Sequence, residues 1–143
     1  MPKTIHLGCD HAALDMKNAL IKALEADYAL EDHGTYTAES CDYPDIAHAV
    51  CRAVEQDPDS CGILICGTGI GMSIAANRHP GIRAALCTTE LHARLSRQHN
   101  NANVLCLGAR MTGSVLAEAI VQAFLHTDFE GGRHQRRLDK LAI

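Results

Sequence analysis

The sequence contains no tryptophan and few other aromatic residues. Phe, Trp and Tyr together make up 3% of its 143 residues. Proteins that hold nucleic-acid bases or sugar rings by stacking need exposed aromatic side chains, so both kinds of surface are disfavoured. The formal net charge is −4, and the chain therefore has no overall basic field that would attract nucleic acid. We expect no nucleic-acid partner, and any phosphate group must be bound by local arginines.

Patterns that indicate secretion or a metal site are also missing. The first seven residues lack the apolar region of a signal peptide, and we expect neither export nor a membrane partner. The seven cysteines are an odd number without a C-x-x-C pair, which favours reduced thiols in a cytoplasm. The nine histidines show neither H-x-x-x-H nor H-E-x-x-H spacing, so we expect no metal. A site assembled from distant residues such as Cys9, His11 and His99 is left open.

Segments typical of strands alternate with segments typical of helices along the chain. The length suits one domain covering residues 1–143. Short apolar runs predict strands at 3–9, 28–30, 62–65, 82–87 and 104–107. Helical spacing and start signals predict helices at 12–26, 44–56, 72–77, 90–98 and 112–125. This alternation predicts an α/β fold with a parallel sheet.

One glycine-rich stretch is the centre of the functional prediction. The buried strand 62–65 leads into Cys66, and Gly67, Thr68, Gly69 and Gly71 then form a turn before the next helix. Free N–H groups at such a turn bind anions or the negative charge that develops during a reaction. They also favour the thiolate form of a neighbouring thiol. The stretch therefore predicts a reactive thiol beside an oxyanion-binding loop.

Other interpretations of this loop compete. A dinucleotide-binding loop has the spacing G-x-G-x-x-G, but Met72 stands where the last glycine belongs. A Walker loop requires Gly-Lys-Ser/Thr, and the loop contains no lysine. The remaining alternative is a tight connection between strand and helix with a buried structural cysteine.

The polar residues follow the predicted strands in a consistent way. Asp10 and His11 come after the first strand, Cys66 after the third and Arg110 after the fifth. Ligands of parallel α/β sheets bind beyond the carboxyl ends of the strands. His99 and Asn100 precede the fifth strand instead and belong at the opposite edge. We therefore predict that these two residues serve the site of a partner across a dimer interface.

Five separated motifs then carry a resemblance that covers nearly the whole chain. They are Gly8-Cys9-Asp10-His11, Asp42-Tyr43-Pro44, Cys66-Gly67-Thr68-Gly69-Ile70-Gly71, Ser96-Arg97-Gln98-His99-Asn100 and Gly131-Gly132-Arg133-His134-Gln135. With these motifs the chain resembles the type B ribose-5-phosphate isomerases and the related allose- and galactose-6-phosphate isomerases. The resemblance implies a Rossmann-like three-layer α/β/α sandwich with a five-stranded sheet. It also implies a cofactor-free aldose–ketose isomerisation in homodimers, or dimers of dimers, with shared active sites.

The resemblance also implies roles for individual residues. Cys66 matches the base that moves the proton, His99 the residue that opens the sugar ring, and Thr68 a support of the thiolate. Some members of the family use a glutamate directly after the loop, where this chain has Met72. The residues matched to substrate binding are Asp10 and Tyr43 at the sugar, Gly67, Gly69, Ile70, Gly71 and Asn100 at the enediolate, and His11, Arg110, Arg133 and Arg137 at the phosphate.

Simpler roles exist for several of these residues. Asp10 is also placed as a helix N-cap, and Tyr43 as part of a Tyr-Pro turn packed on the core. Arg133 and Arg137 are four residues apart and share one helix face, but they also fit a solvated basic tail. We expect the segment 129–143 to contribute to the phosphate site or to a dimer interface. A six-carbon substrate such as allose 6-phosphate and a non-catalytic phosphosugar-binding regulator are the alternative functions.

Overall fold

Five parallel strands form one sheet that has helices on both faces. The computed structural model describes all residues from 1 to 143. The elements, in chain order, are β1 Thr4–Cys9, α1 Leu14–Leu24, β2 Ala29–Asp32, α2 Tyr43–Gln56, β3 Ser60–Cys66, α3 Ile70–Ala76, β4 Ala84–Leu86, α4 Glu90–Asn100, β5 Val104–Gly108, α5 Ser114–Leu125 and α6 Arg133–Asp139. A 3₁₀ turn, His11–Ala13, precedes α1. The predicted α/β/α sandwich with a five-stranded parallel sheet is confirmed.

The order of the strands determines where loops can form a site. The order across the sheet is β2-β1-β3-β5-β4, and every neighbouring pair is parallel. After β1 the chain continues to one side of the sheet, and after β3 it continues to the other. The loops that follow β1 and β3 therefore diverge and leave a crevice at the carboxyl edge, the usual ligand position in such sheets. Cys66 pairs with Gly108 in this region, so the ends of β3 and β5 lie side by side.

Two hydrophobic cores lie between the three layers, one on each face of the sheet. Alternate residues of β1, β3 and β5, among them Leu7, Ile63 and Leu105, pack with α1, α4 and α5. The other face of the sheet, including Leu64, Cys66 and Cys106, packs with α2 and α3. Side chains of a strand alternate between faces, so the apolar runs of β3 and β5 supply both cores. Cys66 therefore points toward the layer that contains α2 and α3.

The helix starts follow the capping signals in the sequence. Asp10 Oδ1 accepts a hydrogen bond from the N–H of Ala12 at 3.0 Å, and Thr89 Oγ1 accepts one from His92 at 3.0 Å. Pro44 lies in the first turn of α2, where its missing N–H leaves no bond unmade. Asp10 therefore does act as an N-cap, one of the two roles considered for it.

Some element bounds differ from the sequence-based prediction. β3 begins at Ser60, two residues before its predicted start, and α3 begins at Ile70 rather than at residue 72. α4 continues to Asn100, because Asn101 adopts the left-handed conformation with φ 45° and ends the helix there. His99 and Asn100 thus belong to the last turn of α4, beyond the predicted helix end at residue 98. Among the helices of the structure, none has the length and apolar character needed to cross a membrane.

Candidate active site

Cys66 ends β3 at the crevice between the first and third strands. Its side chain is buried, and its Sγ accepts a hydrogen bond from the N–H of Gly69 at 3.2 Å. An N–H donor directed at sulfur stabilises a thiolate more than a neutral thiol. The backbone N–H of Asp10 donates to the carbonyl of Ile65 at 3.1 Å, which fixes the end of β1 beside this thiol.

The loop after Cys66 presents backbone donors that the chain itself does not use. The N–H groups of Gly67, Thr68 and Gly71 have no acceptor within the protein. The N–H of Ile70 is held at 3.3 Å by Oγ1 of Thr68, whose side chain is exposed. Three unpaired N–H donors beside a thiol are suited to stabilising an oxyanion that forms there.

Two glycines of this loop are required by their surroundings. Gly69 has φ 79°, and a Cβ at this position would lie 2.5 Å from Cδ1 of Leu86 and 2.9 Å from the carbonyl carbon of Leu107. A Cβ on Gly71 would lie 2.5 Å from Cζ of Tyr43. The phenol ring of Tyr43 therefore lies directly over the loop, with 37% of the residue exposed. Tyr43 borders the crevice in addition to starting α2.

Five of the other six cysteines are held as neutral thiols. Burial raises the pKa of Cys9 and Cys87 to about 11 and that of Cys51 and Cys61 to about 12. Burial raises the pKa of Cys106 well above its usual value. A neutral thiol is a poor base and a poor nucleophile. Cys66 differs from these five thiols in position, because its Sγ accepts the N–H of Gly69 within the glycine-rich loop at the carboxyl edge.

Asp10 and His11 lie beside Cys66 at the end of β1. Asp10 is 8% exposed, and its Oδ1 is used by the N-cap bond to Ala12. Nδ1 of His11 accepts a hydrogen bond from the N–H of Cys41 at 3.2 Å. Because Nδ1 is an acceptor, the neutral ring carries its hydrogen on Nε2, which is then a donor for a ligand.

Arg110 lies on the opposite side of Cys66, after β5. Its backbone N–H donates to the carbonyl of Gly67 at 2.9 Å. A Cβ added to Gly67 would be 3.3 Å from Nη1 of Arg110, so the guanidinium group lies against the loop. None of the ion pairs in the structure involves this arginine. Its charge is available for an anionic ligand at the carboxyl edge. We call the residues around this crevice the carboxyl-edge group: Asp10, His11, Tyr43, Cys66 to Gly71 and Arg110.

The remaining predicted site residues form a second set beside the end of α4. His99 stacks on His134 of α6, with ring centroids 4.5 Å apart and an interplanar angle of 14°. Burial lowers the pKa of His134, and its neighbours His99, Arg133 and Arg137 lower it further. The N–H of Glu130 donates to the carbonyl of Gln98 at 3.1 Å, which attaches the start of this segment to α4. We call His99, Asn100, Arg133 and Arg137 the α4–α6 group.

The fold separates the two groups within one chain. Cys66 lies at the carboxyl ends of the strands, whereas α4 ends where the chain enters β5 at the amino edge. The four residues matched to phosphate binding are divided in the same way, with His11 and Arg110 in one group and Arg133 and Arg137 in the other. A cavity of about 580 Å³ at the amino edge, lined by residues such as Arg83, Arg97 and Phe124, contains no residue of either group.

Lys17, which no sequence motif singled out, supports the carboxyl-edge group. Lys17 is fully buried, and its Nζ donates to Oδ1 of Asp32 at 2.7 Å and to the carbonyl of Thr35 at 2.6 Å. The N–H of Thr35 in turn donates to the carbonyl of Cys9, next to Asp10. Lys17 stands three residues after Leu14 and three before Leu20, on the apolar face of α1. This position could have indicated its role from the sequence, because a charged group on an apolar helix face is buried and needs a partner.

Comparisons with known proteins give consistent results. The family model described as Ribose/Galactose Isomerase matches residues 5–141. Ribose-5-phosphate isomerase B of Escherichia coli (strain K12) is 46% identical over 140 residues, which are 97% of this chain and 94% of that protein. D-erythrulose-4-phosphate isomerase of Pectobacterium atrosepticum is 40% identical over 144 residues, covering 96% of this chain and 92% of that protein.

A solved structure with a bound sugar phosphate has the same fold. It is ribose-5-phosphate isomerase B from Mycoplasma genitalium with bound ribulose-5-phosphate. The two structures have a TM-score of 0.93 and 44% sequence identity, over 96% of this chain and 93% of that chain. The match along almost the whole length, in sequence and in structure, shows that this chain belongs to the ribose/galactose isomerase family.

Proposed function

We propose that this protein is an aldose–ketose isomerase that interconverts ribose 5-phosphate and ribulose 5-phosphate. The observation that supports the proposal is the environment of the Cys66 thiol. Its Sγ accepts a hydrogen bond from the N–H of Gly69 at 3.2 Å, and it lies beside three loop N–H groups that have no acceptor in the protein. The relative from E. coli bears the name of this activity, and the relative from M. genitalium was solved with its ketose product. The reaction needs no external oxidant, because hydrogen moves between two carbons of one substrate.

The chemistry assigned to Cys66 is proton transfer between C1 and C2. In the open-chain aldose the thiolate removes the proton from C2, and the electron pair moves through the C1–C2 bond onto the carbonyl oxygen. The resulting enediolate has its negative charge at the loop, where the N–H groups of Gly67, Thr68 and Gly71 are unpaired. After a proton moves from O2 to O1, the thiol returns its proton to C1 and the ketose forms. A base that can both accept and return a proton is suited to this cycle.

We further propose that a second copy of the chain completes the site. His99 would open the sugar ring and Asn100 would add a donor, yet both lie at the end of α4, away from Cys66. In a two-fold dimer, the α4–α6 group of one protomer can face the carboxyl-edge group of its partner, and the reverse contact follows by symmetry. The segment 129–143 would then contribute Arg133 and Arg137 to the partner's site.

The phosphate is assigned to four cationic or donor groups from the two chains. His11 offers Nε2–H and Arg110 a guanidinium at the carboxyl edge, while α6 brings Arg133 and Arg137 on one face. Arginine is suited to this task because its planar fork binds two phosphate oxygens at once. The net charge of the chain is −4, so the attraction for a dianion has to be local. Seven free thiols support a reducing compartment, the cytoplasm, as the location.

A direct assay tests the proposal. The purified full-length protein is given ribose 5-phosphate, and ribulose 5-phosphate is measured in a coupled assay, with Cys66→Ala as the matched control. We expect turnover by the parent protein and strong loss in the variant. A protein that binds ribose 5-phosphate without converting it would instead be the phosphosugar-binding regulator. Faster turnover of allose 6-phosphate or of a four-carbon phosphosugar would keep the isomerase chemistry and reject the pentose as the preferred substrate.

A further inference from the structure

Two histidines and a glutamate converge at the edge of the sheet, outside both groups of the candidate site. Nδ1 of His6 lies 2.9 Å from Nε2 of His33 and 3.2 Å from Oε2 of Glu31. Nε2 of His33 and Oε2 of Glu31 are 3.8 Å apart. The strand pairing explains the arrangement: His6 of β1 is the direct partner of Glu31 of β2, and His33 follows two residues later. We call these three residues the edge cluster.

The three distances match those of a metal site. Zn²⁺ binds imidazole nitrogen at about 2.0–2.1 Å and carboxylate oxygen at about 2.0–2.2 Å, so tetrahedral ligands stand about 3.3 Å from one another. The separations of 2.9, 3.2 and 3.8 Å lie on both sides of this value. The two imidazole rings are tilted by 48° and are not stacked on each other. Two histidines and one carboxylate are also a ligand set that zinc commonly uses.

Two other histidine clusters have a different arrangement. The rings of His99 and His134 are stacked at 14°, so their in-plane lone pairs run side by side. In the third cluster, His79 contacts His48 through Nε2 and Glu55 through Nδ1. Its carboxylate therefore lies on the opposite side of the ring from the second histidine. In the edge cluster, by contrast, each of the three pairs of ligand atoms is separated by 2.9 to 3.8 Å.

We propose that the edge cluster binds one divalent transition-metal ion, Zn²⁺ by its ligand chemistry, through Nδ1 of His6, Oε2 of Glu31 and Nε2 of His33. The fourth position of the tetrahedron is left for water, since 60% of the Glu31 side chain is exposed. The ion links β1 to the end of β2, directly before Gly34, whose carbonyl accepts the N–H of Cys9. Its role is to stabilise this edge of the fold, and it takes no part in the isomerisation.

The test uses the full-length protein without added substrate. Co²⁺, a spectroscopic substitute for zinc, is titrated, and its visible absorption reports tetrahedral coordination and affinity. Glu31→Gln and His33→Gln should each weaken binding at least about tenfold, since each removes one ligand. Zn²⁺ at about 100 times its Kd should raise the unfolding temperature of the parent by roughly 5–10 °C. The same addition should raise that of the two variants much less.

Matched variants keep the result specific to the edge cluster. Glu130→Gln makes the same change beside the stacked histidines, and His126→Gln removes an exposed histidine whose Nδ1 contacts only the carbonyl of Gln122. Both should bind Co²⁺ like the parent protein. Equal affinity in Glu31→Gln, His33→Gln and these controls would overturn the proposal and leave a hydrogen-bonded cluster only. A cobalt–thiolate charge-transfer band that persists in both edge variants would also overturn it, because the ion would then be bound by cysteine.

Discussion

At the scale of single residues, the surroundings of the seven cysteines separate one thiol from the others. Five are buried with a raised pKa, and burial is the first cause in each case. Cys66 is equally buried but receives the N–H of Gly69. A side chain in an apolar core becomes a useful base only where a fixed donor offsets the desolvation of its charged form. The catalytic role we propose for Cys66 rests on this hydrogen bond and on the unpaired N–H groups of the loop.

Replacing Cys66 by alanine tests that role. A general base contributes on the order of 10²–10⁴-fold to a rate, so kcat for ribose 5-phosphate should fall by this factor in Cys66→Ala. The KM should change little, because phosphate and hydroxyl contacts remain. The measurement is steady-state kinetics, with circular dichroism as a check of folding.

Cys61→Ala is the matched control on the same strand. Cys61 is also buried, but its pKa is about 12 and it lies near the start of β3. It should cost some stability and leave kcat close to that of the parent. A loss below about tenfold in Cys66→Ala would reject the thiol as the base.

At the scale of elements, the connection from β3 to α3 is shaped by tight packing around its glycines. Gly69 adopts φ 79° and is enclosed by Leu86 and Leu107, whereas Gly71 gives room to the ring of Tyr43. A left-handed backbone is costly for residues that carry a Cβ. The loop can therefore bring its free N–H groups next to the thiol only because these positions have no side chain.

Gly69→Ala should destabilise the protein strongly. The left-handed conformation costs about 1–2 kcal/mol and overpacking against Leu86 and Leu107 about 1–3 kcal/mol, so the free energy of unfolding should fall by about 2–5 kcal/mol. Urea unfolding measures the change. Gly113→Ala is the control, since its φ is −71° and a Cβ there has no atom within 4 Å. It should lose at most about 1 kcal/mol, as expected for a glycine N-cap. Equal losses at the two positions would contradict the packing argument.

The arginines of α6 allow a second prediction at this scale. Arg133 and Arg137 project from one face of the helix, and Arg136 points about 100° away from Arg137. Each charge-assisted hydrogen bond is worth roughly 1.5–3 kcal/mol, or about 10- to 150-fold in affinity. Arg137→Ala should therefore raise the KM for the phosphosugar and weaken inhibition by inorganic phosphate in parallel.

Arg136 provides the matched control for this test. Arg136 and Arg137 are neighbours of the same residue type, and both are exposed in the single chain. Arg136→Ala should have little effect, and Arg137→Lys should recover only part of the loss, because lysine lacks the planar fork. Similar small effects at positions 136 and 137 would show that this segment is a solvated basic tail.

At the scale of the whole molecule, the main feature is the separation of the carboxyl-edge group from the α4–α6 group. Parallel strands have their carboxyl ends at one edge, and a helix that leads into the next strand must end at the other edge. Cys66 and His99 are therefore placed apart by topology, independently of side-chain detail. If both act on one substrate, two copies of the chain are required.

Complementation between inactive variants measures this directly. Cys66→Ala and His99→Ala proteins are mixed under conditions that exchange subunits. In a heterodimer, one of the two sites has both wild-type residues, Cys66 from one protomer and His99 from its partner. Since about half of the dimers are heterodimers after random exchange of equal amounts, about a quarter of the parent activity should return. Each variant exchanged with itself is the control and should stay inactive. If heterodimers form, as shown by mass spectrometry, and activity does not return, the shared-site proposal is wrong.

The sequence by itself determined the architecture and located the glycine-rich loop. Apolar runs alternating with amphipathic segments predict a parallel sheet, and the glycines after Cys66 predict an anion-binding turn, because both signals are local along the chain. The opposite placement of His99 was also predictable, since it follows from chain order in a parallel sheet. Less predictable were the exact bounds, such as the end of α4 at Asn100, which depends on the left-handed conformation of Asn101.

Only the tertiary structure decided which distant side chains meet. Lys17 reaches Asp32 and Thr35, His99 stacks on His134, and His6 meets His33 from a position 27 residues away. The donor from Gly69 to the thiol of Cys66 likewise depends on the actual path of the loop. Such contacts are set by strand register and by the packing of helices on the sheet. No periodicity within a single segment contains that information, because each contact joins segments whose relative position exists only after folding.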